Sequence, residues 1–243
     1  MSDGLPETLA EGSENAELVK ESEAESDDGD RPIAVVRRFR PEVNIFKAGD
    51  AGMLEAEQAQ QLFDSDTLVT ADDGYAVVQF MDNSVARVQP NSVLIVSGEI
   101  EDDQSTAARL ALELGEVFLD VEGEEGDYEV STSSAVAAVK GTEFISKSDE
   151  DGSSSFTGLE GEVEVTALNS GDMVTMMGSN GVDVDADGND INQYELAEEE
   201  LSNVRQEYED LDERTQSETI RLEFENEDGE VREIELRYYD NDN

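Results

Sequence analysis

The sequence contains no cysteine, no histidine and no tryptophan. Without cysteine there is no disulfide and no thiol nucleophile, and the redox compartment cannot be read from the residues. Without histidine the commonest general base, the usual transition-metal ligand and any Ser-His triad are missing. Basic residues are scarce too. Fifteen Lys and Arg stand against 63 Asp and Glu, a formal net charge of −48. Such a surface binds neither nucleic acid nor an anionic membrane, since both are gripped through Lys and Arg. No apolar run approaches the length of a membrane-spanning helix, so no membrane insertion is expected. The first residues lack the basic-then-apolar pattern of a signal peptide. No phosphate loop is visible, because Gly49-Asp50-Ala51-Gly52 lacks the lysine and the strand-to-helix setting. Carboxylates are so numerous that no pair stands out as acid and base. Catalysis is therefore a poor reading of this chain.

What the chain has is acid, spread along its whole length. Excess carboxylate has two usual sources, a salt-adapted (halophilic) proteome and the binding of divalent cations. The even spread favours salt adaptation. Residues 1–31 hold eleven acids and few apolar groups, so burial cannot offset the entropy of ordering them. A disordered acidic tail is expected there. Residues 32–190 are expected to form a β domain, and residues 191–243 a helix plus β-hairpin appendage.

Within the β domain, Ile33 to Phe46 is rich in β-branched residues and carries a basic cluster, Arg37, Arg38 and Arg40. This reads as an ion-paired strand edge or as a contact for an acidic partner. Leu54–Phe63 has helical spacing and good helix formers, which predicts a helix. Short strands follow at Thr67–Thr70, Tyr75–Met81, Ala86–Gln89 and Val93–Val96, each bounded by turn residues. Gly98–Thr106 reads as an acidic loop. Leu110, Leu112 and Leu114 alternate, Gly115 reads as a turn, and Val117, Leu119 and Val121 alternate again. Val136–Val139 is small, β-branched and uncharged, which reads as a strand buried on both faces, broken at Gly141. Many short strands at this spacing predict a mainly β fold, an antiparallel sandwich or roll.

Beyond the β domain the period changes. Leu201, Val204, Tyr208 and Leu211 fall on one helical face within 195–216, a stripe for packing on the domain or on a partner. Ile220, Leu222 and Phe224 then alternate, as do Ile234, Leu236 and Tyr238. With a loop at Glu227-Asp228-Gly229, Leu222 should pair with Ile234, Ile220 with Leu236, and Arg221 with Glu235. The apolar face of such a ribbon needs cover from the domain, the helix or another subunit.

One run suggests a metal. Asp183, Asp185, Asp187 and Gly188, with Asp190 close behind, open as an EF-hand-type calcium loop does. The twelfth position, where the bidentate acid belongs, is Tyr194, and no helix clearly precedes the run. The plainer reading is an acidic hairpin turn. Calcium is the only cofactor the sequence nominates.

Several short motifs occur in the order found in one family. Ser134 to Phe144, with Val139, Lys140, Gly141, Thr142 and Phe144, is similar to "T-P-x-A-x-x-x-R/K-G-T-x-F". Asp66-Thr67-Leu68-Val69-Thr70 is similar to "G-D-x-L-x-T". The run from Gly74 to Ser84 is similar to "S-x-A-x-L-x-L-x-D-G-S", and Leu159 to Val165 to "v-x-e-G-x-V-x-V". Ser134 stands where the family often has Pro, and Asn83 where it usually has Gly. Together these motifs resemble the FecR domain. The resemblance implies a non-enzymatic, extracytoplasmic protein-binding β domain, used in envelope sensing and signal transduction. It is closest in kind to stand-alone FecR domains, without the namesake's membrane helix and sigma-factor-binding region. The implied partner is another protein, an envelope receptor or regulator. A surface protein that assembles with itself, aided by calcium, is the alternative.

The charge balance yields a first prediction. Self-repulsion destabilises the folded state at low salt, and screening relieves it. The thermal unfolding midpoint is expected to rise as NaCl is added; a falling midpoint would contradict the salt-adapted reading.

Overall fold

The computed structural model describes residues 31–40, 42–50, 52–100, 106–122, 127–139, 141–214, 218–225 and 231–238. The strands of the first half are β1 (Ala34–Arg40), β2 (Val43–Phe46), β3 (Met53–Glu55), β4 (Gln60–Leu62), β5 (Asp66–Thr70), β6 (Tyr75–Phe80), β7 (Val85–Val88) and β8 (Val93–Ile100). The long strand β9 (Thr106–Asp120) follows. After it come β10 (Asp127–Ser131), β11 (Ala135–Val139), β12 (Glu143–Ser148), β13 (Ser154–Glu160), β14 (Glu162–Ala167), β15 (Met173–Met177), β16 (Asn180–Val184) and β17 (Ile191–Glu195). The chain then forms helix α1 (Glu198–Arg214) and a separate ribbon of β18 (Glu218–Glu225) and β19 (Val231–Tyr238). Strands make up most of the described residues and α1 is the one helix among them, so the fold is mainly β.

Pairing sorts the first seventeen strands into two layers. The first sheet runs β4-β1-β6-β7-β9-β12-β13-β16-β17. The second runs β3-β2-β5-β8-β9-β10-β11-β14-β15. Strand β9 belongs to both. Its first part, Thr106–Leu114, pairs in the second sheet, and Gly115–Asp120 pairs in the first. The crossing point is Gly115, at φ 92°. A Cβ there would sit 2.6 Å from the Cα of Ser92, so both the backbone angle and the space require glycine. Among the described residues all pairings are antiparallel except β9 with β10.

One apolar core lies between the layers. Val78, Leu119, Phe144 and Phe156 enter it from the first sheet, and Ile45, Leu68, Leu94, Leu110 and Val165 from the second. Period-2 alternation does this sorting. In β5, Leu68 is buried while Thr67 and Val69 on the other face are half-buried.

Several expectations change. Leu54–Phe63 is not a helix. Its residues pair in two separate strands, β3 on β2 and β4 on β1, and the Ala59 N–H donates to the Val36 carbonyl at 2.9 Å. Partner strands override helix propensity. Leu110 to Val121 is not a strand, turn and strand, because Gly115 bends one continuous strand between sheets instead of reversing it. The Gly98–Thr106 loop is shorter than expected, since β8 runs to Ile100 and β9 starts at Thr106. Val136–Val139 is not buried on both faces. Ala135, Ala137 and Val139 face the core, while Ala138 is exposed. Small uncharged side chains suit an open sheet face as well as a closed one. Strand β17 carries the first sheet past residue 190 to Glu195. The ribbon has the expected register: Leu222 opposite Ile234, Ile220 opposite Leu236, Arg221 opposite Glu235. Residues 1–30 and the loop at 226–230 lie outside the described residues.

Gly115→Ala is expected to destabilise the fold by on the order of 3 kcal/mol, combining a positive-φ strain with overpacking against Ser92. Urea unfolding monitored by circular dichroism measures it. A loss below about 0.5 kcal/mol, the level of a neutral surface change, would show that the crossing tolerates a side chain.

Candidate protein-binding surfaces

Helix α1 begins with three acids, Glu198, Glu199 and Glu200, which favour the positive end of the helix dipole. Glu200 also reaches back to accept from the Ala197 N–H at 2.9 Å, a capping arrangement. The stripe Leu201, Val204 and Tyr208 packs on the outer face of the first sheet, against Phe118, Ile145 and Leu159. Arg205 adds a hydrogen bond to the Leu159 carbonyl at 3.1 Å. Of the two destinations for this stripe, the structure shows the domain. These three residues are therefore occupied and do not form a free surface.

The seat of the helix contains a buried polar pair. The Tyr208 hydroxyl donates to Glu116 Oε1 at 2.6 Å, and its ring lies 4.8 Å from that of Phe118. The Arg87 guanidinium stacks on the other part of this cluster, 5.0 Å from the Phe118 ring centre. Burial pushes the Glu116 carboxyl above its ordinary range; the Tyr208 hydrogen bond pulls it down, and Glu207 pushes it up again. The Tyr208 hydroxyl is pushed well up, first by burial and then by the charge of Glu116. Glu116 was not legible in the sequence. Reading Gly115 as a turn hid the fact that the strand continues and carries Glu116 beneath a distant helix.

The basic cluster lies on β1. The start of that strand is flanked by both β4 and β6, and a bulge falls between Val36 and Arg38. Arg37 is exposed, Arg38 and Arg40 are half-buried, and Arg37 and Arg38 each already engage another group of the chain. A simple strand edge therefore describes only the end of β1.

The four acids nominated for calcium are not brought together. Asp183 lies on β16 and accepts from the Tyr194 hydroxyl at 3.3 Å. Asp185 Oδ1 accepts from the Asn189 and Asp190 N–H groups at 2.7 and 3.0 Å, closing the β16–β17 hairpin. The Asp187 carbonyl accepts from the Asn169 side chain. Among the described residues no group of three or more acidic side chains is placed to hold a metal ion.

The motif residues serve the fold. Asp66 is buried, ion-paired to Lys47 at 2.6 Å, and accepts from the Ala48 and Phe63 N–H groups. Thr70 donates to the Gln89 carbonyl at 2.6 Å and accepts from the Ser92 N–H at 2.9 Å. Ser134, where the family often has Pro, joins Ser154 and Thr132 in a buried hydroxyl chain. Gly141 has φ 56°, Thr142 is buried, and Val139 and Phe144 belong to the core. Lys140 lies outside the described residues.

The first sheet ends in β4 and β17, but the apolar exposed edges among the described residues are those of the second sheet. Its two outermost strands are β3 and β15, each paired on one side. Both carry exposed apolar side chains: Met53 (59%) and Leu54 on β3, Met173 (55%) and Met177 on β15. Outer strands with free backbone groups are the usual template for adding a strand from another chain.

Residues 66–164 match the family described as FecR protein. Two crystal structures, at 1.65 and 2.50 Å, of a chain described as a "putative anti-sigma factor" from Parabacteroides distasonis are similar in fold. Each is 20% identical, with a TM-score of 0.49, covering 58% of this chain and 64% of that one. The chain thus spans a little under two thirds of the length of these structures. No curated protein matches the sequence significantly.

The Glu116–Tyr208 pair generates two expectations. Glu116 has a folded-state pKa above its unfolded value, so the folded state holds its proton longer. Its contribution therefore weakens stability as pH rises through that window. Glu116→Gln should raise the melting temperature of the protein at neutral pH and have little effect well below the carboxylate range. Tyr208→Phe leaves a buried carboxylate without its donor and should cost about 1–3 kcal/mol. Paired melts across pH check the first, and urea unfolding the second. An unchanged melting temperature for Glu116→Gln at neutral pH would contradict the burial argument.

Proposed function

Because the chain carries a FecR domain over residues 66–164, we propose that it is a non-enzymatic protein-binding module in signal transduction at the cell envelope, with its β domain outside the cytoplasm. The family match is the observation that carries this reading. The family is regulatory and not enzymatic, and it is generally envelope-associated. Among the described residues no helix is long and apolar enough to cross a membrane. The partner is another protein, received at the open strands β3 and β15, where backbone pairing supplies affinity and the exposed methionines adapt to the partner's side chains. The helix stripe plays no direct part, because its own sheet already covers it.

A second reading, assembly with itself, is favoured by one specific observation. Exposed apolar residues sit at both ends of the same sheet, so one copy offers complementary places to the next.

Protease shaving of intact cells followed by mass spectrometry tests the main reading. Peptides from residues 31–195 released without lysis are expected. Protection until every membrane is opened would overturn the extracytoplasmic placement and move the search to cytoplasmic regulators.

A further inference from the structure

Among the described residues four outer strands bound the two sheets, and they differ in how much backbone they leave open. At one end, β3 and β4 have three residues each. At the other end, β15 and β17 have five each. The middle carbonyl of β15, that of Thr175, already accepts from the Gln193 side chain at 3.0 Å. The backbone of β17 is more open, and its register with β16 shows which groups are involved. The Asp185 N–H donates to the Asp190 carbonyl at 3.1 Å, and the Leu196 N–H to the Ser179 carbonyl at 2.9 Å. These bonds close the two ends of an unbroken antiparallel ladder, so the hydrogen-bonded pairs between them are Asp183–Asn192 and Gly181–Tyr194. Ile191, Gln193 and Glu195 therefore point their N–H and C=O groups away from β16. Among the described residues none of these six groups has a partner. Asn192 through Glu195 are all exposed, so the strand lies open to solvent. Natural edges are commonly blunted by lysine, proline or a bulge, and β17 has none of these.

Charge selects the occupant. From Ser148 to Val204 the sequence contains fifteen acids and no Lys or Arg. That stretch supplies every strand from β13 to β17 and the first turn of α1. Asp190 precedes β17 and Glu195 ends it, while exposed Asp183 stands opposite Asn192 on the neighbouring strand. A second copy would bring the same acids to the same edge, and two copies at −48 repel one another. A basic strand meets no like charge anywhere in this stretch.

We propose that β17 takes an extended segment of another protein, rich in lysine or arginine, as a further strand of the first sheet. Ile191, Gln193 and Glu195 supply the backbone hydrogen bonds. Basic side chains of the segment lie toward Asp183 on one face and toward Glu195 on the other. This goes beyond the reading above, which places a partner on the second sheet, and the two fail separately. Shaving tests location, whereas the experiment below tests one edge of the purified chain.

The probe is a peptide of about eight alternating Val and Lys residues, titrated into the isotope-labelled full chain and followed by amide exchange in nuclear magnetic resonance. The expected result is a saturable complex in which exchange slows at Ile191, Gln193 and Glu195. It should stay unchanged at Asn192 and Tyr194, whose N–H groups already bond β16. The same peptide with Glu for Lys should not bind, and the lysine peptide should bind more weakly as NaCl is added. Gln193→Pro removes one open N–H without touching the β16 ladder, and should weaken binding about tenfold. Gln193→Val keeps that N–H and loses only the side-chain bond to Thr175, so it should bind as the native chain does. If Gln193→Pro loses its circular dichroism spectrum, the alternating exchange pattern decides alone. Absence of binding would overturn the proposal. So would binding that slows no β17 amide, equal binding of the Glu peptide, or an affinity that a folded Gln193→Pro leaves unchanged. A chain that doubles its mass in light scattering while protecting its own β17 amides would give the edge to a second copy instead.

Discussion

The fold depends on a strand that serves two sheets. Strand β9 is the middle member of each layer, with β7 and β12 beside its second part and β8 and β10 beside its first. Its side chains Leu110, Leu112, Val117 and Leu119 all point into the shared core, even though the sheet plane changes between Leu112 and Val117. The core-facing positions shift by one at the crossing, from even (Leu110, Leu112) to odd (Val117, Leu119), and the positive φ at Gly115 is where the backbone makes that change of phase. The Ser92 hydroxyl sits at the crossing and accepts the Glu116 N–H at 3.0 Å, so the amide just past the bend is satisfied inside the protein. The matched family segment is centred on this glycine.

The acid is accommodated by being kept out of the core. Among the described residues, buried polar positions are hydroxyls or amides almost throughout, and the fully buried carboxylate, Asp66, is held by Lys47 and two backbone N–H groups. Glu116 is the informative exception. It is carried under α1 by strand geometry, and a tyrosine hydroxyl from residue 208 answers it. The helix is thus fixed by two directional contacts, Tyr208 to Glu116 and Arg205 to the Leu159 carbonyl, within an apolar seat, which set its position along the sheet as grease alone would not.

Much of the architecture was legible from alternation. The β class, the strands from β5 to β8, the helical stripe and the register of the final ribbon follow from period and turn chemistry. The misses share one cause. Leu54–Phe63 resembles a helix locally and becomes two strands because β1 and β2 offer edges far away in sequence. Gly115 looks like any turn glycine, and only the presence of a second sheet distinguishes a bend from a reversal. Which residues share a row across a sheet is likewise invisible in one dimension: Phe46, Ile95, Val136 and Met173 line up only when the strands of the second sheet fall into register. Motif residues were legible as a family mark, but their role was not, since the partners of Asp66 and Thr70 lie far away in sequence.

Strand β9 also divides the chain in time. In both sheets, every strand on one side of it comes earlier in the sequence, and every strand on the other side comes later. A ribosome therefore delivers a half-sandwich first, ending in the raw edges of β7 and β8. Those edges stay open until a single further strand emerges and closes both together. The newborn chain is at its most adhesive in that interval, and the dense negative charge already synthesised keeps one nascent half from sticking to another.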